Sequence, residues 1–346
     1  MIDPMTLNHG DLWGIVLAGG EGKRLEGYIR QHRADCLPKQ YINFIGKRSM
    51  IEHTFHRVER LIPRQRILTV VNEQHLLSGE VRRQLSDRAQ DTVIVQPENR
   101  DTGPGILLPL TYLYKRCADA TVAVFPSDHF ILEESRFMDH VSLAAGAVQH
   151  DPSQIVLLGI EAQWPETEYG YVIPADFNGD IDMCGCRNAA HFVEKPDLAD
   201  ARLLVAAGAL WNTMIMVFRV ETFLHHVRKL IPNVASQFDS FAKTIGTAAE
   251  KDEIQELYSG LCPLNFSKDI LENIFTRFPS AVSVLPVLQV TWSDWGSPQR
   301  LLETKKSLEQ RVDTPSPPLQ RPLAARSSQP HRSVRPEITD RQRQFR

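Results

Sequence analysis

The sequence predicts an α/β fold in which helices cover both faces of a mostly parallel, doubly wound sheet. Short apolar segments of strand length alternate with amphipathic segments of helical length from about residue 13 to residue 160, an order typical of parallel sheets. The runs Val122–Phe125 and Ile155–Gly159 are apolar throughout, as strands buried on both faces are. With 346 residues, 42% of them hydrophobic, the chain can bury the core of one large domain or of two average ones.

The elements of the first half alternate without interruption. Trp13–Ala18 is a short apolar run that ends in glycines, the pattern of a buried strand. Ser49–Leu61 carries apolar residues at helical spacing, and Pro104 suits the first turn of a helix over Gly105–Arg116. The other predicted strands are Arg66–Val71, Thr92–Val95, Thr121–Phe125 and Ile155–Leu158, and the other helices are Glu73–Asp87 and Glu134–His150. Ligands of such sheets bind beyond the carboxyl ends of strands, so a site is expected where the first, third and fourth strands end.

The second half is less regular. Its predicted strands are Tyr171–Ile173, His191–Val193, Asn212–Phe218, Ala281–Leu285 and Gln289–Trp292. Its predicted helices are Asp197–Ala207, Val220–Leu230, Asn233–Ile245, Lys251–Tyr258, Ser267–Phe275 and Ser297–Glu309. Residues 311–346 are rich in proline, serine and arginine and cannot bury enough apolar surface to fold. They are predicted to be a disordered tail, either without a function or in contact with an acidic partner.

Composition and charge argue against several functional classes. The formal net charge of -3 argues against nucleic-acid binding. No apolar run reaches the length of a membrane span, and the N-terminus lacks a signal-peptide pattern, so membrane insertion is not expected. The five scattered cysteines form no disulfide framework, which fits a reducing cytoplasm. Cys184 and Cys186 are close enough for a metal pair, but without a second pair at zinc spacing an ordinary loop is favoured.

A glycine-rich turn, Ala18–Leu25, follows the first predicted strand. Its three glycines permit positive φ and leave backbone N–H groups open to a ligand, and Lys23 and Arg24 supply positive charge for phosphates. The Walker A pattern fails because Leu17 and Arg24 stand where it needs Gly and Ser or Thr. The dinucleotide pattern fails because Leu25 stands where it needs Gly or Ala. On these residues alone, a tight turn and an anion site are both open.

Together with segments further along the chain, this turn resembles the signature of the sugar-phosphate nucleotidyltransferase family. The segments, in the family's order, are Leu17–Leu25, Leu37–Gln40, Gln96–Pro104, Phe125–His129, Glu168–Val172, Phe192–Pro196, Trp211–Thr213 and Trp292–Ser297. The Pro-Lys-Gln form of the second segment is most similar to the mannose-1-phosphate guanylyltransferase branch. Each segment is weak by itself, but their shared order from about Trp13 to Glu309 is specific. The resemblance implies a Rossmann-like nucleotidyltransferase sheet with a smaller sugar-binding subregion.

The resemblance also implies a reaction. An oxygen of a sugar 1-phosphate attacks the α-phosphorus of a nucleoside triphosphate, and pyrophosphate leaves. The implied substrates are GTP and mannose 1-phosphate, the product is GDP-mannose, and the cofactor is Mg²⁺. Because two polyanions must meet, such a site needs positive charge at both phosphates and a metal between them. Since the attacking phosphate is already ionised at neutral pH, positioning and charge neutralisation carry the catalysis and no general base is required.

The matching segments assign expected roles to individual residues. The catalytic cations would be Arg24 and Lys39 at the triphosphate and Lys195 at the sugar phosphate. The nucleotide would contact Leu17, Ala18, Gly19, Gly20, Gly22, Lys23, Glu98 and Thr102, with Glu98 as the partner of guanine. The sugar phosphate would contact Gly170, Glu194, Lys195 and Asn212. Asp128 and Asp294 would ligate Mg²⁺, which prefers one or two carboxylates and leaves positions for substrate phosphates.

Some residues depart from the family pattern or have modest expected roles. Met214 stands where the family usually has glycine after Trp-Asn-Thr, so its side chain either narrows the sugar pocket or points into the core. The stretch after the glycine-rich turn lacks the usual proline turn. His129 is expected to be a structural neighbour rather than a base, and Tyr169 and Trp211 are expected to be pocket walls.

The predicted organisation is a catalytic domain over residues 1–310, with a nucleotide-binding part at about 11–160 and a sugar-phosphate part at about 161–310. Neither an isomerase domain nor a hexapeptide-repeat helix follows, so a single activity is expected, and a homo-oligomer is compatible with the sequence. The alternatives are the same chemistry with another base or hexose, and a non-catalytic relative that binds a nucleotide sugar. The enzyme is favoured because five charged residues are retained together: Arg24, Lys39, Asp128, Lys195 and Asp294.

Overall fold

The computed structural model describes residues 10–33, 37–175 and 182–313, and it confirms the α/β fold class. The strands are β1 Leu12–Ala18, β2 Ile67–Asn72, β3 Val93–Gln96, β4 Thr121–Pro126, β5 Phe130–Ile131, β6 Ile155–Glu161, β7 Gly170–Pro174, β8 Arg187–Glu194, β9 Leu210–Arg219, β10 Val282–Val287 and β11 Trp292–Ser293. The helices are α1 Lys23–His32, α2 Met50–Val58, α3 Gly79–Leu85, α4 Thr102–Arg116, α5 Glu134–His150, α6 Leu198–Ala206, α7 Val220–Leu230, α8 Pro232–Thr244, α9 Glu250–Gly260, α10 Glu272–Arg277 and α11 Pro298–Asp313. A π-helix, Phe266–Leu271, leads directly into α10.

Within the described residues, nine strands form one sheet in the order β3-β2-β1-β4-β9-β6-β10-β8-β7, and β9 also pairs with β7. β1 runs parallel to β2 and β4, β2 to β3, and β6 to β10. β9 is antiparallel to both β4 and β6, so it joins two groups of parallel strands. The sequence does not predict the direction of β9, because a strand buried on both faces is apolar throughout in either direction.

The register of the strands brings the predicted site segments to one edge of the sheet. Leu17 at the end of β1 lies opposite Pro126 at the end of β4. The glycine-rich turn and Asp128 therefore leave the sheet side by side. β5 pairs with β11 in a separate small sheet, which brings the chain just before Asp294 next to the segment just after Asp128.

The core lies on both faces of the sheet because successive side chains of β1 point in opposite directions. Val16 belongs to a buried cluster with Val141 of α5, and Ile15 belongs to a second cluster with Leu107 of α4. On the first face, α2 begins at Ser49 with a full capping box, an arrangement worth about 1 kcal/mol to a helix. The rigid edge of the sheet thus has packed helices on either side.

Some predicted elements differ from the structure. The helix predicted at Glu73–Asp87 is divided into a 3-10 helix, Glu73–Leu77, and α3, because Ser78 is extended between them. The strand predicted at Gln289–Trp292 is wrong for most of its length, because Gln289 has a φ of 55° that a strand does not accommodate. The sequence pattern does not predict α1, which buries few of its residues.

The chain divides into two compact units, Met1–Lys305 and Lys306–Arg346. In the second unit, the structure describes helical backbone up to residue 313; the rest of the predicted tail, 314–346, lies outside the described residues. The boundary predicted at residue 310, the two-part division of the catalytic domain, the homo-oligomer and the cytoplasmic location stay predictions. In the part of the chain that is described, no helix combines the length and the apolar character needed to cross a bilayer.

Candidate active site

The glycine-rich turn after β1 is tied to the Pro-Lys-Gln segment by hydrogen bonds from one side chain. Gln40 Nε2 donates to the carbonyl oxygens of Ala18 and Gly20, both at 2.8 Å. Gly22 has a φ of 65°, and a Cβ at this position would lie 2.8 Å from the Cβ of Lys39. Glycine therefore satisfies both the left-handed backbone and the close approach, and Lys39 is held against the turn.

Lys39 connects the turn to the two predicted metal ligands. Its side chain is only 4% exposed, and its ammonium group donates to Asp128 Oδ2 at 2.8 Å and to the backbone carbonyl of Asp294. Burial raises the pKa of Asp128, but the charge of Lys39 and its hydrogen bond outweigh burial, so this pKa lies below its ordinary value. Asp128 is thus held ionised beside a buried cation.

Asp294 is the most heavily bonded of the predicted site residues. Its carboxylate accepts a hydrogen bond from Tyr169 Oη at 2.9 Å and one from the backbone N–H of Gly296 at 2.8 Å. Arg24 Nη2 lies 3.4 Å from its Oδ2, and Arg300 Nη1 lies 3.4 Å from its Oδ1. Asp294 is 8% exposed, and the donors and cations around it satisfy its buried carboxylate.

Two residues around Asp294 contribute more than the sequence analysis assigned to them. Arg300 lies in the first turn of α11, pairs with Glu166 at 3.4 Å, and places its guanidinium 4.7 Å from the ring centre of Tyr169. Burial, reinforced by Asp294, raises the pKa of Tyr169 well above its ordinary value, so its hydroxyl stays a hydrogen-bond donor. The sequence predicts Tyr169 only as a pocket wall, whereas in the structure its hydroxyl also bonds Asp294. The available signal for Arg300 was its position six residues after Asp294, at a helix start.

A cavity of about 320 Å³ opens beside the glycine-rich turn. Five predicted nucleotide-binding residues line it, namely Leu17, Gly19, Gly20, Lys23 and Thr102, together with Glu21, Val70, Gln96, Asn99, Asp101 and Gly105. Gln96 is 2% exposed, and its Oε1 has no hydrogen-bond partner within the described residues. A buried unpaired amide oxygen is costly, which suits a group that a bound ligand would satisfy.

Other predicted nucleotide-binding residues lie near this cavity without lining it. Ala18 and Gly22 shape the turn through their backbones, as described above. Glu98 forms an ion pair with Arg100 at 2.7 Å and is not among the lining residues. The hydroxyl of Thr102, which does line the cavity, accepts a hydrogen bond from the backbone N–H of Phe266 at 3.0 Å. Thr102 therefore also fixes the start of α4 against the π-helix.

Three of the predicted sugar-phosphate residues lie on strands, with Gly170 on β7, Glu194 on β8 and Asn212 on β9, and Lys195 directly follows β8. Gly170 is the register partner of Glu194, and the N–H of the next residue, Lys195, donates to the carbonyl of Tyr169 at 3.2 Å. The exposed Lys195 side chain makes no hydrogen bond or ion pair with any described residue. Burial raises the pKa of Glu194, and the charge of Lys195 opposes this rise. Because Tyr169 contacts both Lys195 and Asp294, the segments around these two residues are neighbours.

The structure also bears on the other candidate chemical groups. Burial lowers the pKa of His129 to about 4, and its Nδ1 accepts a hydrogen bond from Trp292 Nε1 at 3.3 Å. A neutral, packed ring agrees with the predicted structural role.

Cys184 and Cys186 are buried free thiols, and burial raises the pKa of each. In the described part of the chain, no group of three or more His, Cys, Asp or Glu side chains is arranged to hold a metal.

Substituting Gly296 with alanine is expected to lower turnover by about 100-fold. A Cβ at this position would overlap Asp294 Oδ2 and lie 2.8 Å from Arg300 Nη2 and 2.9 Å from Arg24 Nη1, so these side chains must move apart. Steady-state kinetics of pyrophosphate release measure the effect. Gly27→Ala in α1 is the control, since its Cβ would meet nothing within 4 Å. Turnover of Gly296→Ala within threefold of wild type would contradict the need for this close approach.

The described geometry can be compared with known proteins. Residues 13–311 match the family model described as nucleotidyl transferase. The xanthan biosynthesis protein XanB of Xanthomonas campestris pv. campestris strain B100 is 29% identical over 297 residues, which cover 86% of this chain and 60% of that protein. The mannose-1-phosphate guanylyltransferase ManC of Salmonella typhimurium strain LT2 is 30% identical over 305 residues, which again cover 86% and 60%. The chain thus spans less than two thirds of the length of these relatives.

A solved structure gives the same result at the level of the fold. The mannose-1-phosphate geranyltransferase from Thermus thermophilus superposes with a TM-score of 0.68 at 26% identity, covering 83% of this chain and 76% of that one. The family model spans most of the chain and nearly the same range as the motifs, which confirms the resemblance seen in the sequence. The chain therefore belongs to the nucleotidyl transferase family.

Proposed function

We propose that this protein transfers a nucleotidyl group from a nucleoside triphosphate to a sugar 1-phosphate and releases pyrophosphate. GTP and mannose 1-phosphate are the proposed substrates, and GDP-mannose is the product. The observation that carries the proposal is the direct bonding of Arg24, Lys39, Asp128 and Asp294 beside the cavity of about 320 Å³. A binding protein without catalysis has no need of this combination of cations and carboxylates.

Arg24, which pairs with Asp294, and Lys39, which pairs with Asp128, would stabilise the negative charge of the phosphates. Arg24 is half exposed at the start of α1, and Lys39 is buried against the turn. Both are held by acidic partners before a substrate arrives, so little reorganisation is needed when phosphate oxygens replace those contacts. Negative charge that develops on the α-phosphate during attack would lie between the half-exposed guanidinium of Arg24 and the buried ammonium group of Lys39.

The sugar phosphate would approach from the side of β7 and β8. Lys195 offers an ammonium group without a hydrogen-bond partner in the described structure, which suits a phosphate. Glu194 and Asn212 would accept and donate hydrogen bonds to sugar hydroxyls. An oxygen of the sugar phosphate then forms the new bond to the α-phosphorus as the bond to pyrophosphate breaks. Because a phosphate monoester has a second pKa near 6, the attacking oxygen needs no base at neutral pH.

A divalent metal fits the donor set of this site. Asp128 and Asp294 would hold Mg²⁺, which commonly takes one or two carboxylates and completes its shell with water and substrate phosphates. What supports this assignment is that the Lys39 ammonium group bonds both the carboxylate of Asp128 and the backbone carbonyl of Asp294, so the two residues lie together. When bound, the ion neutralises charge on the phosphates. The protein's own part is to orient both carboxylates, through Lys39 at Asp128 and through Tyr169, Arg24 and Arg300 at Asp294.

The base would enter the cavity lined by Gln96. The unpaired Oε1 of Gln96 can accept a hydrogen bond from a base N–H, and Gly19 and Gly20 present backbone groups at the same cavity. The choice of guanine is supported by the names of relatives such as ManC. Glu98 would have to leave Arg100 to reach a base, so Gln96 is the better-placed partner in this structure.

A substrate matrix tests the proposal. GTP with mannose 1-phosphate and Mg²⁺ is expected to give the highest kcat/KM among four nucleoside triphosphates combined with several hexose 1-phosphates, read by pyrophosphate release. Chelation by EDTA should abolish release, and added Mg²⁺ should restore it. A different best pair would correct the base or sugar. No release with any pair would refute the enzyme and leave nucleotide-sugar binding, which calorimetry with GDP-mannose would then measure.

A further inference from the structure

Met214 has a backbone conformation that is unusual for its residue type. Its φ is 58°, in the left-handed region that bulky side chains rarely adopt. The register of β6 and β9 explains the need for it. Leu157 lies opposite Met216 and Gly159 opposite Asn212, so β9 carries two more residues than β6 between these pairs and bulges there. Glycine would occupy this bulge without strain, yet the chain has methionine.

The side chain of Met214 contacts Asn212, a proposed sugar-binding residue, and Ser267 beside it. Its Sδ accepts from Asn212 Nδ2 at 3.7 Å and from Ser267 Oγ at 3.3 Å. The N–H of Met214 donates to Asn212 Oδ1 at 3.1 Å, so residue 214 holds both ends of that amide. Ser267 also lies beside Glu194, where it lowers the pKa of that carboxyl group against the larger effect of burial. The sulfur therefore lies between Asn212 and Ser267, which is next to Glu194. Asn212 and Glu194 are the two residues proposed to bind sugar hydroxyls.

A thioether at this place changes what the pocket can recognise. It donates no hydrogen bond and is a weak acceptor, whereas a glycine would leave room for a water molecule or a polar contact. A site built to hydrogen-bond a hydroxyl rejects an analogue without it strongly, because polar groups are left unpaired. If the sugar lacks the hydroxyl next to Met214, no polar group of the protein is left unpaired there. The Met214 sulfur already has both of its contacts within the protein.

From this geometry we infer that Met214 determines sugar specificity: the site accepts hexose 1-phosphates that lack the hydroxyl facing residue 214, which a glycine-bearing site would disfavour. The inference rests on the proposed function for the placement of the sugar. The substrate class is accordingly a mannose-type hexose 1-phosphate together with one of its monodeoxy forms. Met214 also positions Asn212, because it bonds both ends of the amide.

Direct binding tests the inference without requiring turnover. Calorimetry compares mannose 1-phosphate with its four monodeoxy analogues on wild type, Met214→Gly and Met214→Asn. Asparagine tolerates the left-handed region and adds polar atoms, so it serves as a second variant if glycine loosens the bulge. Met183→Gly, at an exposed methionine in a turn outside β9, is the matched control. Thermal unfolding should show Met214→Gly at or above the wild-type Tm, because the strain is removed.

The expected result is specific to one position of the sugar. On wild type, one analogue should bind within about threefold of mannose 1-phosphate, and in both Met214 variants that analogue should weaken at least about tenfold relative to the parent. Unchanged ratios, an equal shift of all four ratios, or no binding of mannose 1-phosphate by wild type would overturn the inference. If the binding ratio shifts as expected but no nucleotide yields pyrophosphate, the proposed function fails and the inference stands. If pyrophosphate is released but the binding ratio does not shift, the inference fails and the proposed function stands.

Discussion

Replacing Asp294 with asparagine is expected to lower kcat by at least about 1,000-fold while leaving the fold intact. A metal and its ligand charge supply several kcal/mol of transition-state stabilisation, and each 1.36 kcal/mol corresponds to about tenfold in rate. The amide also places an N–H₂ group among donors, because Tyr169, Gly296 and Arg24 all point at this side chain. Pyrophosphate release at saturating Mg²⁺ measures the loss.

Asp239→Asn is the matched control for this substitution. It also replaces an aspartate that pairs with an arginine, Arg228 at 2.8 Å, but on the exposed surface of α8, where such a pair contributes little. Circular dichroism and thermal unfolding of Asp294→Asn should show a cooperatively folded protein. If Asp294→Asn keeps near-normal turnover, Asp294 does not serve as a metal ligand.

Lys39→Met is expected to reduce both activity and stability. Methionine keeps the length of the buried side chain but removes the ammonium group that bonds Asp128 and the carbonyl of Asp294. Loss of a positioned cation typically costs about 100-fold to 1,000-fold in kcat. The free energy of unfolding should fall by about 1–3 kcal/mol, less than for a fully buried pair, because the Asp128 side chain is partly exposed and water can replace the contact.

A second variant separates the two effects of Lys39. Lys39→Met combined with Asp128→Asn removes both charges, so urea unfolding should show more than half of the lost stability restored. Pyrophosphate release should stay as low as in the single variant, since neither charge is present for phosphates or metal. A single variant that retains wild-type kcat within about threefold would remove Lys39 from the catalytic group.

Local patterns allowed much of the fold to be predicted. The helix over Glu134–His150 matches the structure at both ends, and the apolar runs Trp13–Ala18 and Thr121–Phe125 lie within β1 and β4. Strand direction depended on contacts distant in the sequence, so the antiparallel β9 could not be read from its composition. The positive φ of Gln289 likewise depends on the loop that contains it, and the residue type does not predict it.

The sequence predicted that the candidate residues lie together, but it did not predict how they are connected. Motif order indicated that Arg24, Lys39, Asp128 and Asp294 belong together, and the structure places them in direct contact. Lys39 bonds both Asp128 and Asp294, which are 166 residues apart in the sequence. This contact exists only because the folded sheet brings the two segments to the same edge. Arg300 escaped detection because an arginine at the start of a helix is common on protein surfaces.

Strand β9 has a mechanical consequence for how the protein handles its substrates. It forms backbone hydrogen bonds with β4, which leads to Asp128, and with β7, which carries the proposed sugar-phosphate residue Gly170. The two sides are therefore segments of one continuous sheet, and a hinge rotation between them would have to tear a ladder of hydrogen bonds. Adjustment to each substrate in turn falls to the glycine-rich turn and to long side chains such as Arg24, which can move on a faster timescale than whole domains.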